Sequence, residues 1–177
     1  MERIEVKQVD KIVLRVPISR EVIPPAMVWP VRSILQWIYE IKHELENPYN
    51  TADMDAIVQR IAKLAAQYSS SVDALASAKW YLAQAQAESF DYVWKRIKAQ
   101  DSEIMRELRG VASSQNVKAY IQNRCADLVW LETSTERLNS AITHNVDALR
   151  SILSKGKVDM QINAYAQQVQ SDGRNEY

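Results

Sequence analysis

The chain has 177 residues, 47% apolar and 25% charged, which allows one domain with a buried core and excludes a disordered chain. Its 22 basic and 22 acidic side chains cancel, so no overall field draws it to nucleic acid or to an anionic membrane. Cys125 is the single cysteine, which rules out an intrachain disulfide and argues against a thiolate metal site.

No window approaches the run of about 18 apolar residues that a membrane span requires. Residues Met1 to Val6 lack the apolar core of a signal peptide, so the expected location is the cytoplasm, with no membrane partner. There are 3 Gly and 5 Pro, and four of the Pro precede residue 31. A chain so poor in turn residues beyond that point is expected to be mainly α.

In chain order, residues 1–29 read as an extended arm. Ile4 and Val6 alternate with Glu5 and Lys7, and Ile12, Leu14, Val16 and Ile18 repeat every second position, the period of one or two short strands. Pro24-Pro25 marks an extended crossing segment. Pro30 then suits the first position of a helix whose apolar stripe is Val31, Ile34, Leu35, Ile38, Ile41 and Leu45. Asn47-Pro48 ends it. Asn50 or Thr51 is the expected cap of a second helix, with Met54, Ile57, Ile61, Leu64 and Tyr68 inward and Ser69-Ser70-Ser71 as its end.

Two long helices follow, together a hairpin over residues 72–157 within a four-helix domain of residues 30–162. The first is expected to bury Val72, Ala76, Lys79, Ala83, Gln86, Phe90, Val93, Ile97, Ile104 and Leu108. The second reads Val117, Ile121, Arg124, Leu128, Leu131, Thr135, Leu138, Ile142, Asn145, Leu149 and Ile152, alternating steps of four and three as in a coiled coil. Gly110 supplies the reversal. A bend centred near residue 112 sets Trp94 beside Trp130, Leu82 beside Ile142 and Leu75 beside Leu149. The two shorter helices are expected to cover the open end, leaving the tip, about residues 94 to 124, bare. Residues 163–177 read as a flexible tail.

No phosphate loop, Gly-x-Ser-x-Gly or His-Glu-x-x-His motif occurs, and His43 and His144 are the only histidines. The expectation is a non-enzyme with no cofactor or metal. The tip carries Lys95, Arg96, Lys98, Arg106, Arg109, Lys118 and Arg124 against Asp101, Glu103 and Glu107. Solvated helix ends paired at i, i+4 are the plainer account of these charges; the alternative is single-stranded nucleic acid stacked on Trp94 and Tyr120. Glu136, Asn139, Thr143, Asp147 and Arg150 share one helix face, with His144 one residue round. This polar stripe is either a register device inside the bundle or a recognition surface. Trp80, Tyr81, Phe90, Tyr92 and Trp94 cover more than one face of their helix, more than a two-helix contact buries. With Trp130, Trp80, Tyr81, Tyr92 and Trp94 are the candidate partner-binding residues.

The stretch Glu136-Arg137-Leu138-Asn139-Ser140-Ala141-Ile142-Thr143-His144-Asn145-Val146-Asp147-Ala148-Leu149-Arg150-Ser151-Ile152-Leu153-Ser154-Lys155 resembles a segment of small helical phage and prophage proteins, and the likeness touches Ala78 to Ala83. The resemblance implies a place in a bacterial host cell and a part in phage DNA recombination or replication. It carries no catalytic residues. The expected function is that of a helical adaptor that forms homo-oligomers and binds a protein partner. Inhibition of a host defence protein and a structural place in the virion are the other readings.

Overall fold

Five helices make up nearly all of the residues described by the computed structural model, which are Leu14 and residues 26–172. They are α1 (Val31–Glu46), α2 (Met54–Lys98), α3 (Ser102–Glu107), α4 (Ser114–Arg124) and α5 (Ala126–Asp172). The strands expected within residues 1–18 fall outside the described residues, except at Leu14, which lies in no strand and packs against the main core.

Three of the helices, α2, α3 and α4, start at a side-chain oxygen that accepts from the free N–H groups of the first turn. Asp53 Oδ1 accepts from Asp55 N at 3.0 Å and Ala56 N at 3.1 Å, so Asp53 caps α2 rather than Asn50 or Thr51. Asn50 instead accepts from Ala52 N and forms the turn leading in. Ser113 caps α4 through Asn116 N. Pro30 sits one position ahead of α1, as its N-cap.

α2 is one unbroken helix of 45 residues, about 68 Å long. The expected break at Ser69-Ser70-Ser71 does not occur. Serine costs a helix only a few tenths of a kcal/mol, and here its small size is what the packing requires. Ser71 is fully buried, with Oγ 2.6 Å from both Tyr68 O and the Asn139 side-chain amide. The acceptor on Asn139 is Oδ1, so the single Ser71 hydroxyl proton serves two acceptors, one on its own helix and one on α5.

The face of α2 turned inward also differs from the expected one. Ile57, Leu64, Ser71, Ala78 and Ala85 are buried at intervals of seven, joined by Ala74, Ser89 and Val93, whereas Val72 and Phe90 are about half exposed. Beyond Leu64 this seam is made of small side chains. α5 supplies the bulk: Cys125, Leu128, Leu131, Thr135, Ile142 and Leu149 are buried, with Leu138 and Ile152 partly so. The four-three spacing of this strip holds from Leu128 onward. Arg124 lies outside it, and Cys125 takes the inner place.

Three facing pairs fix the register. Ser71 meets Asn139, Ser89 Oγ lies 3.7 Å from Cys125 Sγ, and the Met54 thioether lies against Gly156 Cα, filling the space a Cβ would take. The midpoints of the three pairs fall at residues 105 to 107, inside α3. The reversal therefore spends residues 99–113, not a tight bend at Gly110, and the pairings Trp94–Trp130, Leu82–Ile142 and Leu75–Leu149 are replaced. Trp80 lies level with Trp130, and Trp94 level with α4. Gly110 still contributes, at φ 76° after Arg109 at φ 58°, the left-handed close that ends α3.

α1 runs antiparallel to the first half of α2. Trp29 N donates to Ser77 Oγ at one end, and Arg60 donates to Glu44 O at the other. Ile34, Leu35, Trp37, Ile38 and Ile41 fill the groove between α2 and α5. At the other end of the rod, the tip is not bare. α3 and α4 fold back on α2 around a second core of Val93, Ile104, Leu108 and Val117. The hairpin's second limb is interrupted once, at Cys125 between α4 and α5. α5 then continues helical to Asp172, where a frayed tail was expected.

Candidate functional site

The tip joins three pieces of chain, and side-chain clamps hold them. Arg96, near the end of α2, donates from Nε to Asp101 Oδ2 at 2.6 Å and from Nη2 to Glu103 Oε2 at 2.8 Å, and it also donates to the Tyr92 hydroxyl. Asp101 Oδ1 accepts from Glu103 N, which caps α3. Asn116 Nδ2 donates to Leu108 O and Val111 O, tying the loop to α4. Arg124 stacks over the other limb of the cluster, its guanidinium 4.3 Å from the Tyr92 ring centre.

These contacts set the local electrostatics. The hydrogen bonds from Glu103 and Asp101 raise the Arg96 guanidinium above its ordinary range. The same Arg96 bond holds the Asp101 carboxyl below the usual carboxylate range. Burial raises the Tyr120 hydroxyl. Because the folded value of Asp101 is depressed, its contribution is present above the ordinary carboxylate value of about 4 and is lost as pH falls through the lower folded value. The protection factor of the Glu103 amide should therefore fall in that acid window while that of the middle of α5 holds. In Asp101→Ala it should already be low at neutral pH; a Glu103 protection factor indifferent to both changes contradicts the clamp.

Beside this cluster, α2 and α4 leave an open groove of about 680 Å³. Gln86, Phe90 and Trp94 line one wall, and Val117, Lys118, Ile121 and Gln122 the other, closed by Ala112 and Ser114. Phe90 and Trp94 stand at i, i+4 with parallel rings 6.2 Å apart, and 49% and 46% of their surfaces remain exposed. Lys98 Nζ lies 5.9 Å from the Trp94 ring centre. The groove exists because the small-residue seam of α2 faces α5. The aromatic face, turned away from that seam, has the short α4 beside it among the described residues.

The expected partner-binding residues separate into two groups. Tyr92 and Trp94 are at the tip, Tyr92 against the arginines and Trp94 in the groove. Trp80 and Tyr81, edge to face at 5.0 Å, lie 14 positions earlier, about 21 Å down the rod. Tyr81 packs on the main core, while Trp130 is half exposed. The basic residues scatter likewise. Arg96 and Arg124 are engaged around Tyr92, Lys98 lies over Trp94, and Lys118 forms the groove rim. Lys95, Arg106 and Arg109 are exposed.

Of the polar stripe, Asn139 is inside, paired with Ser71. Thr143 Oγ1 donates to Asn139 O, and Arg150 lies 3.5 Å from Asp147. Glu136, Thr143, His144, Asp147 and Arg150 are exposed. Thr143, Asp147 and Arg150 edge a second hollow of about 200 Å³ with Ala65 and Tyr68. No group of three or more metal-ligating side chains occurs among the described residues, and no described helix is long and apolar enough to cross a membrane.

Gln86, Phe90, Val117 and Ile121, expected inside the seam, line the groove instead. The signal was available: Ile57, Leu64, Ser71, Ala78 and Ala85 repeat every seven residues on a different face from Phe90 and Trp94. No protein-family model matches the chain, and neither does any curated protein or solved structure.

Proposed function

We propose that this protein is a non-enzymatic helical interaction module that binds another polypeptide chain in the tip groove and self-associates. The observation that carries the reading is the groove itself: an open apolar trough walled by a half-exposed, stacked Phe90–Trp94 pair. Large aromatics left in water on a rigid scaffold are the side chains that anchor protein interfaces. The trough lies between two helices and is about 12 Å long on each wall (residues 86–94 and 114–122), room for about two turns of an amphipathic helix.

A polypeptide suits this site better than single-stranded nucleic acid. Arg96 is spent on two carboxylates and Arg124 on an aromatic ring, so the basic residues form no continuous track for phosphates. The resemblance of residues 136–155 supports a phage or prophage setting for the module, with recombination or replication of phage DNA as its context.

The test is a photoreactive phenylalanine analogue placed at position 90 in the cells where the protein works, with the same analogue at exposed Val58 as background. Adducts to a polypeptide, specific to position 90, are expected. Adducts to nucleic acid, or none above the Val58 background, overturn the reading.

A further inference from the structure

Among the described residues no helix faces α5 beyond Gly156. α2 begins at Met54, directly across from Gly156, so residues 157–172 of α5, about 24 Å of helix, project past the bundle. That projection is not a polar end. Val158, Ile162 and Tyr165 follow at steps of four and three, so they form one stripe, and they are 50%, 60% and 70% exposed. The stripe lies on the opposite side of the helix from Leu149, nine positions and about 900° of rotation earlier. It does not continue the seam to α2 and would stay uncovered even if α2 were longer. An isolated helix end of this length is marginal in water without a partner for its apolar face.

We infer that the projecting end of α5 in one copy of the chain occupies the tip groove of a second copy. The inference rests on the groove being a polypeptide-binding site, as proposed above. Three observations select this occupant. The dimensions agree: Val158 to Tyr165 spans about 10.5 Å, and each wall of the groove about 12 Å. The charges are compatible: residues 157–172 carry Lys157, Asp159 and Asp172, a net charge of −1, while Lys98 and Lys118 stand at the groove. The separation forbids self-closure: the groove near residue 90 lies 36 positions along α2 from the end at Met54, about 54 Å, and the projection points away from it. Pairing two projections side by side would leave the aromatic groove open.

Such a contact is heterologous: the surfaces differ, and each copy keeps one free groove and one free helix end. Growth is then open-ended unless the geometry closes a ring. The contact is also small beside the roughly 1,200–2,000 Å² of stable interfaces, so it calls for association that grows with concentration rather than a fixed oligomer.

The test uses full-length chains. Trp94→Glu disables the groove, and Ile162→Glu with Tyr165→Glu disables the helix end; all three positions are exposed. Sedimentation velocity of the unmodified chain from low to high micromolar should show species growing beyond a dimer. Each variant alone should remain monomeric, and an equimolar mixture of the two should stop at a dimer, because only one productive junction is left. Should Trp94→Glu lose helical content by circular dichroism, Lys118→Glu replaces it and should weaken growth severalfold. A monomeric unmodified chain, a variant that still grows, or a mixture that stays monomeric overturns the assignment. If that failure comes with a polypeptide adduct at position 90, the groove reading stands and only this occupant is wrong; failure of both removes both.

Discussion

Replacing Arg60 with alanine should lower the free energy of unfolding by about 2–3 kcal/mol, the loss of a buried, charge-assisted hydrogen bond at a site where Lys63 still pairs with Glu44. Arg60 is 8% exposed and lies at the junction of α1 and α2. Nη2 donates to Glu44 O at 2.7 Å, Nη1 lies 3.5 Å from Glu44 Oε1, and the guanidinium sits 4.5 Å from the Tyr49 ring centre. One side chain thus supplements the bond from Asn47 N at 3.3 Å to the same last-turn carbonyl of α1, and shares the Glu44 carboxylate with Lys63. Alanine leaves each with its weaker or more exposed partner. Arg60→Lys keeps the charge but not the planar fork, so it should recover only part of the loss. Urea unfolding followed by circular dichroism checks this, and a loss under about 1 kcal/mol would mean that the junction does not depend on the arginine.

The second large effect concerns the unequal seam. Register sets Ala78 of α2 opposite Leu131 of α5, and both are fully buried. Leu131→Ala should cost about 2–5 kcal/mol through lost burial and the cavity left behind. Ala78→Leu should cost about 1–3 kcal/mol, because Ala78 is fully buried and the added atoms have nowhere to go. The double exchange returns the volume to the same layer, so it should lose less than the sum of the singles by about 0.5–3 kcal/mol. Strict additivity in thermal or urea unfolding would show that the two positions do not face each other, and the register drawn from Ser71–Asn139 and Met54–Gly156 would be wrong.

Both predictions rest on features unequally legible in the sequence. The apolar stripe of α1 and the four-three repeat from Leu128 to Ile152 were readable because large aliphatic side chains at helical spacing have one economical arrangement, facing a core. The inner face of α2 was misread because its seam beyond Leu64 is alanine and serine, which carry little hydrophobic signal; Phe90 and Val72 drew attention to the wrong side. Arg60 was invisible for the same reason. A charged residue at a buried position is unexpected from composition, and it is tolerated only because the end of α1 arrives with a carbonyl and a carboxylate.

The candidate site divides in the same way. Its residue types were in view: Tyr92, Trp94 and the basic cluster stood out as residues in excess of what a two-helix contact buries. Their grouping was not. Whether Arg96 is free for a ligand depends on Asp101 and Glu103 folding back onto it, which the length of the reversal decides. Trp94 fronts a groove rather than Trp130 because the turn consumes residues 99–113.

By itself the sequence determined a mainly helical chain, the apolar stripe of α1 and the α5 strip, since these follow from local periodicity. The tertiary structure alone decided the register, the face of α2 that is buried, the closed tip with its groove, and the projecting end of α5. Those depend on how closely two backbones can approach and where one helix outlasts the other. Such quantities belong to pairs of segments, and no single stretch of sequence contains them.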